Sequence, residues 1–230
     1  MTTPEPHAGL ARTADRSPAA VALFGDRLPL AERYAARLAD DGVLRGLIGP
    51  REVDRLWERH LLNSAILTDL VPVGARVVDV GSGAGLPGLP MAIRRADLRV
   101  DLVEPMLRRT QFLAEVVAEL ELAASVRVVR GRADEAGVGH AVGNSDWVVA
   151  RAVAPLDRLV RWCLPLLSPV GRLLALKGAG GASEADRHAG ALRSCGARVQ
   201  AVTELGAGVL SERTWVVVVT RTGRAKAQEK

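Results

Sequence analysis

The sequence predicts an α/β fold: a doubly wound parallel sheet, a helical extension in front of it, and an antiparallel hairpin at its end. Three observations predict it. From Gly74 onward, five short apolar runs alternate with segments of helical period. Those runs are continuous rather than alternating, as expected of strands covered on both faces. The last two runs follow each other with only a short loop between them, which suggests a reversed pair.

Residues 1–18, MTTPEPHAGLARTADRSP, are rich in Pro, Thr, Ala and charge, and are expected to be disordered. A helical extension is assigned to residues 19–73. Gly42, Gly46, Gly49 and Pro50 divide it into at least two helices. From Glu52, apolar residues recur at helical spacing: Val53, Leu56, Trp57 and Leu61. The main domain is assigned to 74–221. Its five strands are ARVVDV (75–80), RVDLVE (99–104), SVRVVR (125–130), SDWVVA (145–150) and GRLLALK (171–177). MLRRTQFLAEVVAEL (106–120) is the clearest helix between them. ARVQAVTEL (197–205) and ERTWVVVVT (212–220) form the closing hairpin. Residues 222–230 read as a basic, mobile tail.

Composition narrows the class. A chain of 230 residues suits one sizeable domain with extensions. With 48% hydrophobic but 3% aromatic residues, the core must be built from Ala, Val and Leu. The net charge of +5 permits a nucleic-acid partner, although an Arg-rich genome would give the same bias. Two cysteines, Cys163 and Cys195, form no CxxC pair, so no metal site is expected, and they fit a reducing compartment. No apolar leader and no run of about 18 apolar residues appears, which points to a cytoplasmic protein without a membrane partner.

The most informative segment is VVDVGSGAGLPG (77–88). A strand ends at Val80, and Gly81, Gly83 and Gly85 turn the chain toward a helix, leaving room for a ligand to approach the backbone. Residues 83–88 match the GxGxxG dinucleotide pattern, and Glu104 ends the next strand, where a carboxylate can hold ribose hydroxyls. Two features favour S-adenosylmethionine over a dinucleotide. Asp79, inside the first strand, suits a cationic ligand end. Pro87 removes an amide near the helix start, where a pyrophosphate would need donors. The V-x-D-x-G-x-G-x-G pattern resembles the first motif of class I methyltransferases. That resemblance implies a Rossmann-like, seven-stranded, mostly parallel sheet with an antiparallel last strand. A nicotinamide-dependent oxidoreductase and a ligand-free turn remain alternatives. After strand three, Asp134 either accepts the adenine amine, as is usual in this fold, or caps a helix.

The fourth strand leads into SDWVVARAVAPL (145–156), without the Asn/Asp-Pro-Pro-aromatic motif of adenine-N6 and cytosine-N4 methyltransferases. Neither cysteine sits in the Pro-Cys or Thr-Cys context of cytosine-C5 enzymes. The resemblance to class I methyltransferases implies that the position nearest the sulfonium should instead be held by Arg151. Guanine N7 presents an in-plane lone pair at neutral pH, so its methylation needs orientation and no general base. An arginine fork can supply that orientation. The other reading of Arg151 is an ion pair with Asp146 or Glu104.

RHLLNS (59–64), DVGSGAGLPGLP (79–90), LVEPMLRRTQFL (102–113), GRADE (131–135), ARAVAPL (150–156) and ALKG (175–178) together resemble one family. It is the bacterial small-subunit rRNA guanine-N7 methyltransferase family, RsmG or glucose-inhibited division protein B, and the match runs over about residues 28–205. The resemblance implies transfer of a methyl group from S-adenosylmethionine to guanine N7 in 16S ribosomal RNA, free or within the small subunit. The expected cofactor residues are Asp79, Gly81, Ser82, Gly83, Gly85, Leu86, Glu104, Ala133, Asp134 and Arg151. Arg151 is also expected to be catalytic, at the border with the guanine. His60, Asn63, Arg108, Arg109, Arg132 and Lys177 are expected to face RNA. The family often has Asn-Leu-Thr before the His-containing helix; here Gly46-Leu47-Ile48 stands in its place. No metal is expected, and a monomer is.

Overall fold

The computed structural model describes residues 17–151 and 153–222. The expected disordered start and basic tail fall on 1–16 and 223–230, outside the described residues.

The strands are β1 (Arg76–Val80), β2 (Arg99–Glu104), β3 (Val126–Arg130), β4 (Ser145–Arg151), β5 (Leu167–Lys177), β6 (Ala197–Leu205) and β7 (Thr214–Arg221). They form one seven-stranded sheet in the order β3-β2-β1-β4-β5-β7-β6. β1 to β5 pair in parallel. β7 runs antiparallel between β5 and β6. β5 begins four residues before the expected 171, but its regular ladder with β4 starts only at Trp147↔Arg172. Pro169 offers no amide to that early stretch.

Successive strand residues enter opposite cores. Val77, Leu102, Val149 and Leu174 belong to one buried cluster. Val78, Val103, Val148 and Leu173 belong to the other. This explains the unbroken apolar runs, since each valine or leucine buried on either face contributes about 1.5–3 kcal/mol.

The helices are α1 (Pro18–Phe24), α2 (Leu28–Arg37), α3 (Asn63–Ala65), α4 (Gly88–Arg94), α5 (Leu107–Glu119), α6 (Ala136–Val142), α7 (Leu156–Cys163) and α8 (Gly181–Ser194). α6, α7 and α8 cover the second face. α4 and α5 share the first face with the extension, through Tyr34, Leu38, Trp57 and Leu61. The extension therefore shares a core with the sheet. Helical winding continues past Gly42 through Leu44 and ends at Gly46, with φ +64°, and Gly49 is extended before the next turn begins at Pro50, so the break falls at Gly46 to Gly49 and not at Gly42. Beyond Pro50 it winds tightly over Pro50–Arg55, widely over Leu56–Leu62, and tightly again over Ile66–Leu70. The apolar spacing marked the buried side of this stretch without revealing its changing pitch.

Candidate active site: two cavities sharing Arg151

The carboxyl ends of β1, β2 and β4 and the turn after β3 surround a cavity of about 310 Å³. Gly81, Glu104, Arg109, Arg132, Ala133, Asp134 and Arg151 line it, as do Val153 and Trp162. A second cavity, of about 480 Å³, is lined by Arg55, Arg59, Asn63, Arg151, Lys177, Arg213 and Thr214, among others. Arg151 belongs to both walls.

Glu104 organises the first cavity. Its carboxylate is buried and accepts the Gly83 amide on Oε2 at 2.9 Å and the Met106 amide on Oε1 at 3.0 Å. Arg109 stands 3.7 Å away. Each carboxylate oxygen carries a second lone pair, so the group can accept further donors from the cavity. Gly81, on the wall, has φ +70°, and a Cβ there would lie 2.9 Å from Val153 Cγ2.

Asp79 takes a different place from the one expected. It is fully buried and does not line the cavity. Its Oδ2 accepts the Gly88 amide at 3.0 Å at the start of α4, so close that a Cβ on Gly88 would lie 2.8 Å from it. Oδ1 has no hydrogen-bond partner. Burial pushes the carboxyl up to about 7, against the Gly88 hydrogen bond. Asp79 thus occupies the first amide of α4, which a pyrophosphate would have needed. Ser82, Gly83, Gly85 and Leu86 are not among the residues that line the cavity either. The Ser82 hydroxyl donates to the Asp79 carbonyl at 3.0 Å, and its own carbonyl accepts the Gly85 and Leu86 amides. Tyr34 of the extension supports this loop by donating to the Ala84 carbonyl at 2.8 Å.

Asp134 lines the cavity and pairs with Arg132 at 3.0 Å. The helix-cap reading fails: α6 starts after Glu135, with no side-chain cap bond. Arg132 also lies 5.9 Å over the Trp162 ring.

The ion-pair reading of Arg151 also fails. Its Nη2 meets His60 Nδ1 at 2.6 Å, while Nη1 donates to the His60 carbonyl and Ser64 Oγ, both at 3.4 Å. Desolvation lowers the guanidinium's pKa from its ordinary value. His60 Nε2 lies 2.8 Å from Glu52 Oε2. Burial, followed by the Arg151 charge, holds the imidazole down at about 4, so it is neutral at pH 7.

The remaining expected RNA residues divide. Arg108 is exposed on α5, outside both linings. Asn63 lies on the second cavity, accepts from Thr214 Oγ1 at 2.7 Å and donates to the Arg59 carbonyl. Lys177 lines the same cavity, but its ammonium is engaged by Glu184 at 2.9 Å and the Ala154 carbonyl at 3.1 Å. Glu184 also accepts the Leu156 amide, so this lysine ties down the chain after β4.

Arg55, Arg59 and Arg213 were missed. The i, i+4 spacing of Arg55, Arg59 and Asn63 could have placed them on one helical face. Arg213 sits at this edge because β7 is antiparallel, and Lys177 pairs with Trp215. Cys163 is fully buried, and its thiol pKa is raised by that burial, so it offers no nucleophile to either cavity.

Comparison with known proteins agrees with this geometry. The family model described as "rRNA small subunit methyltransferase G" matches residues 27–215. The ribosomal RNA small subunit methyltransferase G of Salinispora arenicola (strain CNS-205) is 59% identical over 206 residues, covering 88% of this chain and 85% of the relative. That of Rhodococcus jostii (strain RHA1) is 52% identical over 222 residues, covering 96% and 97%. Among solved structures, mitomycin 7-O-methyltransferase aligns with TM-score 0.57 at 16% identity, over 95% of this chain and 73% of that one. Aeropyrum pernix fibrillarin, solved with bound S-adenosyl-L-methionine, aligns with TM-score 0.51 at 19% identity, over 70% and 75%. At these identities the structural matches speak to the class I methyltransferase fold alone.

Proposed function

The chain belongs to the rRNA small subunit methyltransferase G family and is an S-adenosylmethionine-dependent rRNA methyltransferase; we propose that its acceptor is N7 of a guanine in 16S ribosomal RNA. The observation that carries the acceptor assignment is Arg151, a partly buried guanidinium on the wall between two cavities, held from behind by His60 and Ser64.

The first cavity fits the cofactor. Glu104 keeps lone pairs for ribose hydroxyls, and Gly81 leaves the wall free of a side chain. Asp134 stands where an exocyclic adenine amine can donate to it. With its carboxyl raised to about 7, Asp79 is only partly ionised at neutral pH, and a cation bound above the glycine loop would favour its charged form. S-adenosylmethionine, when bound, supplies an electrophilic methyl on a sulfonium. This chain's residues position the acceptor. Arg151 holds the guanine through O6, so that the N7 lone pair stays free and faces the first cavity in line. N7 uses a lone pair already present, so no side chain has to remove a proton from it.

Arg55, Arg59 and Arg213 on the second cavity are ion-paired with Glu212, Glu52 and Glu204, and they supply positive charge toward RNA phosphates that displace those carboxylates, with Arg108 and Arg132 outside it. Because these groups converge in a pocket around one base, the reading favours a base presented by folded RNA in the assembled subunit. The enzyme is taken to work as a monomer in the cytoplasm; among the described residues, no helix is long and apolar enough to cross a membrane.

The test adds labelled S-adenosylmethionine to unmethylated small subunits and, separately, to naked 16S RNA. The expected product is 7-methylguanine at one position, formed faster on subunits. Label on another base atom would overturn the acceptor assignment.

A further inference from the structure

His60 was expected to touch RNA, but both of its ring nitrogens face protein groups. Its side chain is only 12% exposed, between Glu52 on one side and Arg151 on the other. The chemistry of the three groups allows one proton arrangement. A guanidinium has donors and no acceptor, so the nitrogen 2.6 Å from Arg151 Nη2 must present a lone pair. That nitrogen is Nδ1. The single proton of a neutral imidazole is then on Nε2, 2.8 Å from the Glu52 carboxylate that accepts it. Arg59, 3.3 Å from Glu52 Oε1, and Arg55 also act on this pair through their charges.

We infer that Glu52 and His60 are positioning residues: Glu52 selects the Nε2–H tautomer of His60, and His60 Nδ1 then aims the Arg151 guanidinium at the junction of the two cavities. The inference rests on the reading of Arg151 as the group that orients the acceptor. Its consequence is specific. Without Glu52, the Nδ1–H tautomer becomes competitive and points a proton at a donor, which pushes the guanidinium away. Without an acceptor at the Nδ1 position, one arm of the fork is untethered. Arg151 then remains charged and present but poorly aimed, which slows the transfer step and leaves cofactor binding intact.

Two substitutions of His60 separate aim from bulk. In His60→Asn, the amide oxygen stands where Nδ1 stood, the same number of bonds from the backbone, and can still accept from Arg151. In His60→Gln, the polar end moves out toward the Nε2 position. Single-turnover methylation of unmethylated small subunits is measured at saturating cofactor, with the cofactor Kd and the KM for subunits measured alongside. His60→Gln should be about 10- to 30-fold slower, with Kd and KM within about threefold of wild type, the scale of a misaligned reactant. His60→Asn should stay within about threefold of wild type. Glu52→Ala should slow transfer by about 5-fold or more, whereas Glu52→Gln, whose amide oxygen still accepts the Nε2 proton, should recover most of that loss.

Arg151→Ala is the reference. If it is slow while His60→Gln and Glu52→Ala run at wild-type rate, the positioning inference is wrong and the role of Arg151 stands. If His60→Asn is as slow as His60→Gln, the Nδ1 acceptor is not what matters, and the inference is again wrong. If Arg151→Ala itself runs at full speed, the acceptor reading falls, and this inference falls with it. Should His60→Gln fail to fold, the Glu52 pair decides alone, since Glu52 is partly exposed and its removal spares the core.

Discussion

Replacing Arg151 by methionine should uncouple stability from activity. The guanidinium is largely withdrawn from water, and desolvation lowers its pKa, so burying the charge is costly in itself. Its hydrogen bonds offset that cost: a contact of 2.6 Å to a neutral imidazole and two long contacts of 3.4 Å. A charged-group hydrogen bond contributes about 1.5–3 kcal/mol and a long one much less, so the net worth of the arginine to folding is small. Met removes the desolvation cost of the guanidinium but leaves His60 Nδ1 without a donor, a loss of about 1–3 kcal/mol. Arg151→Met is therefore expected to unfold in urea within about 2 kcal/mol of wild type. Methyl transfer should tell a different story. Orientation of the guanine is lost, and a loss of about 100-fold corresponds to about 2.7 kcal/mol of barrier. Arg151→Lys keeps the charge, but one ammonium cannot hold His60 and fork onto a base edge, so it should fail nearly as badly as Met. The assay is single-turnover methylation of small subunits at saturating cofactor. Near-normal transfer by Lys would reduce Arg151 to a point charge. Near-normal transfer by Met would remove it from the mechanism.

Three more outcomes are expected. Glu104→Gln should weaken cofactor binding by about 2 kcal/mol and destabilise the domain by about 1–3 kcal/mol, because the new amide faces a backbone N–H that the carboxylate accepted; calorimetry showing unchanged affinity in the folded variant would remove Glu104 from the site. His60 and Asp79 should pull the pH dependence of stability in opposite directions. His60 is held at about 4, so its contribution is full above its ordinary 6.5 and fades as pH falls toward 4, while Asp79 is held at about 7, so its protonated form favours the fold as pH falls from 7 toward 3.8. Accordingly, His60→Gln should gain stability between pH 7 and 5 and Asp79→Asn should lose it, each by about 1–3 kcal/mol in urea melts; matching slopes in the two variants would contradict the assignment. Finally, Arg55→Ala with Arg213→Ala should lower affinity for small subunits and flatten its salt dependence by about two units of log–log slope, and an unchanged slope would mean that these arginines do not meet phosphate.

The sheet was legible because its chemistry is local and repeated. Each of the seven expected strands lies within a few residues of the observed one, since an unbroken Val-rich run between turn residues has few other uses. The first cavity was half legible. Glu104, Ala133 and Asp134 line it as expected, while Asp79, Ser82, Gly83, Gly85 and Leu86 do not. The glycine pattern reports that a backbone turns sharply, and it does not say which of its residues face the ligand. Lys177 is expected to face RNA, but its ammonium is paired with Glu184, seven residues on, across a turn that linear spacing does not fold up.

The acceptor side was least legible because it is assembled from distant parts of the chain. Arg151 ends β4, His60 and Asn63 come from the extension, and Arg213 precedes β7. Only reversal of the last strand brings the residues before β7 to the edge where β4 and β5 end. Only the shared apolar core carries the extension there as well. The extension does more than cover a sheet face. Tyr34 holds the glycine loop and His60 holds Arg151, so one helical region fixes groups on both cavities at once. The Asn-Leu-Thr segment absent at Gly46-Leu47-Ile48 therefore leaves this architecture intact. The contacts that tie the extension to the site begin at Tyr34, Glu52 and His60, and all three are present. A substitution that loosens the extension from the sheet should disturb cofactor and acceptor together, whereas one at Glu52 should disturb the acceptor alone.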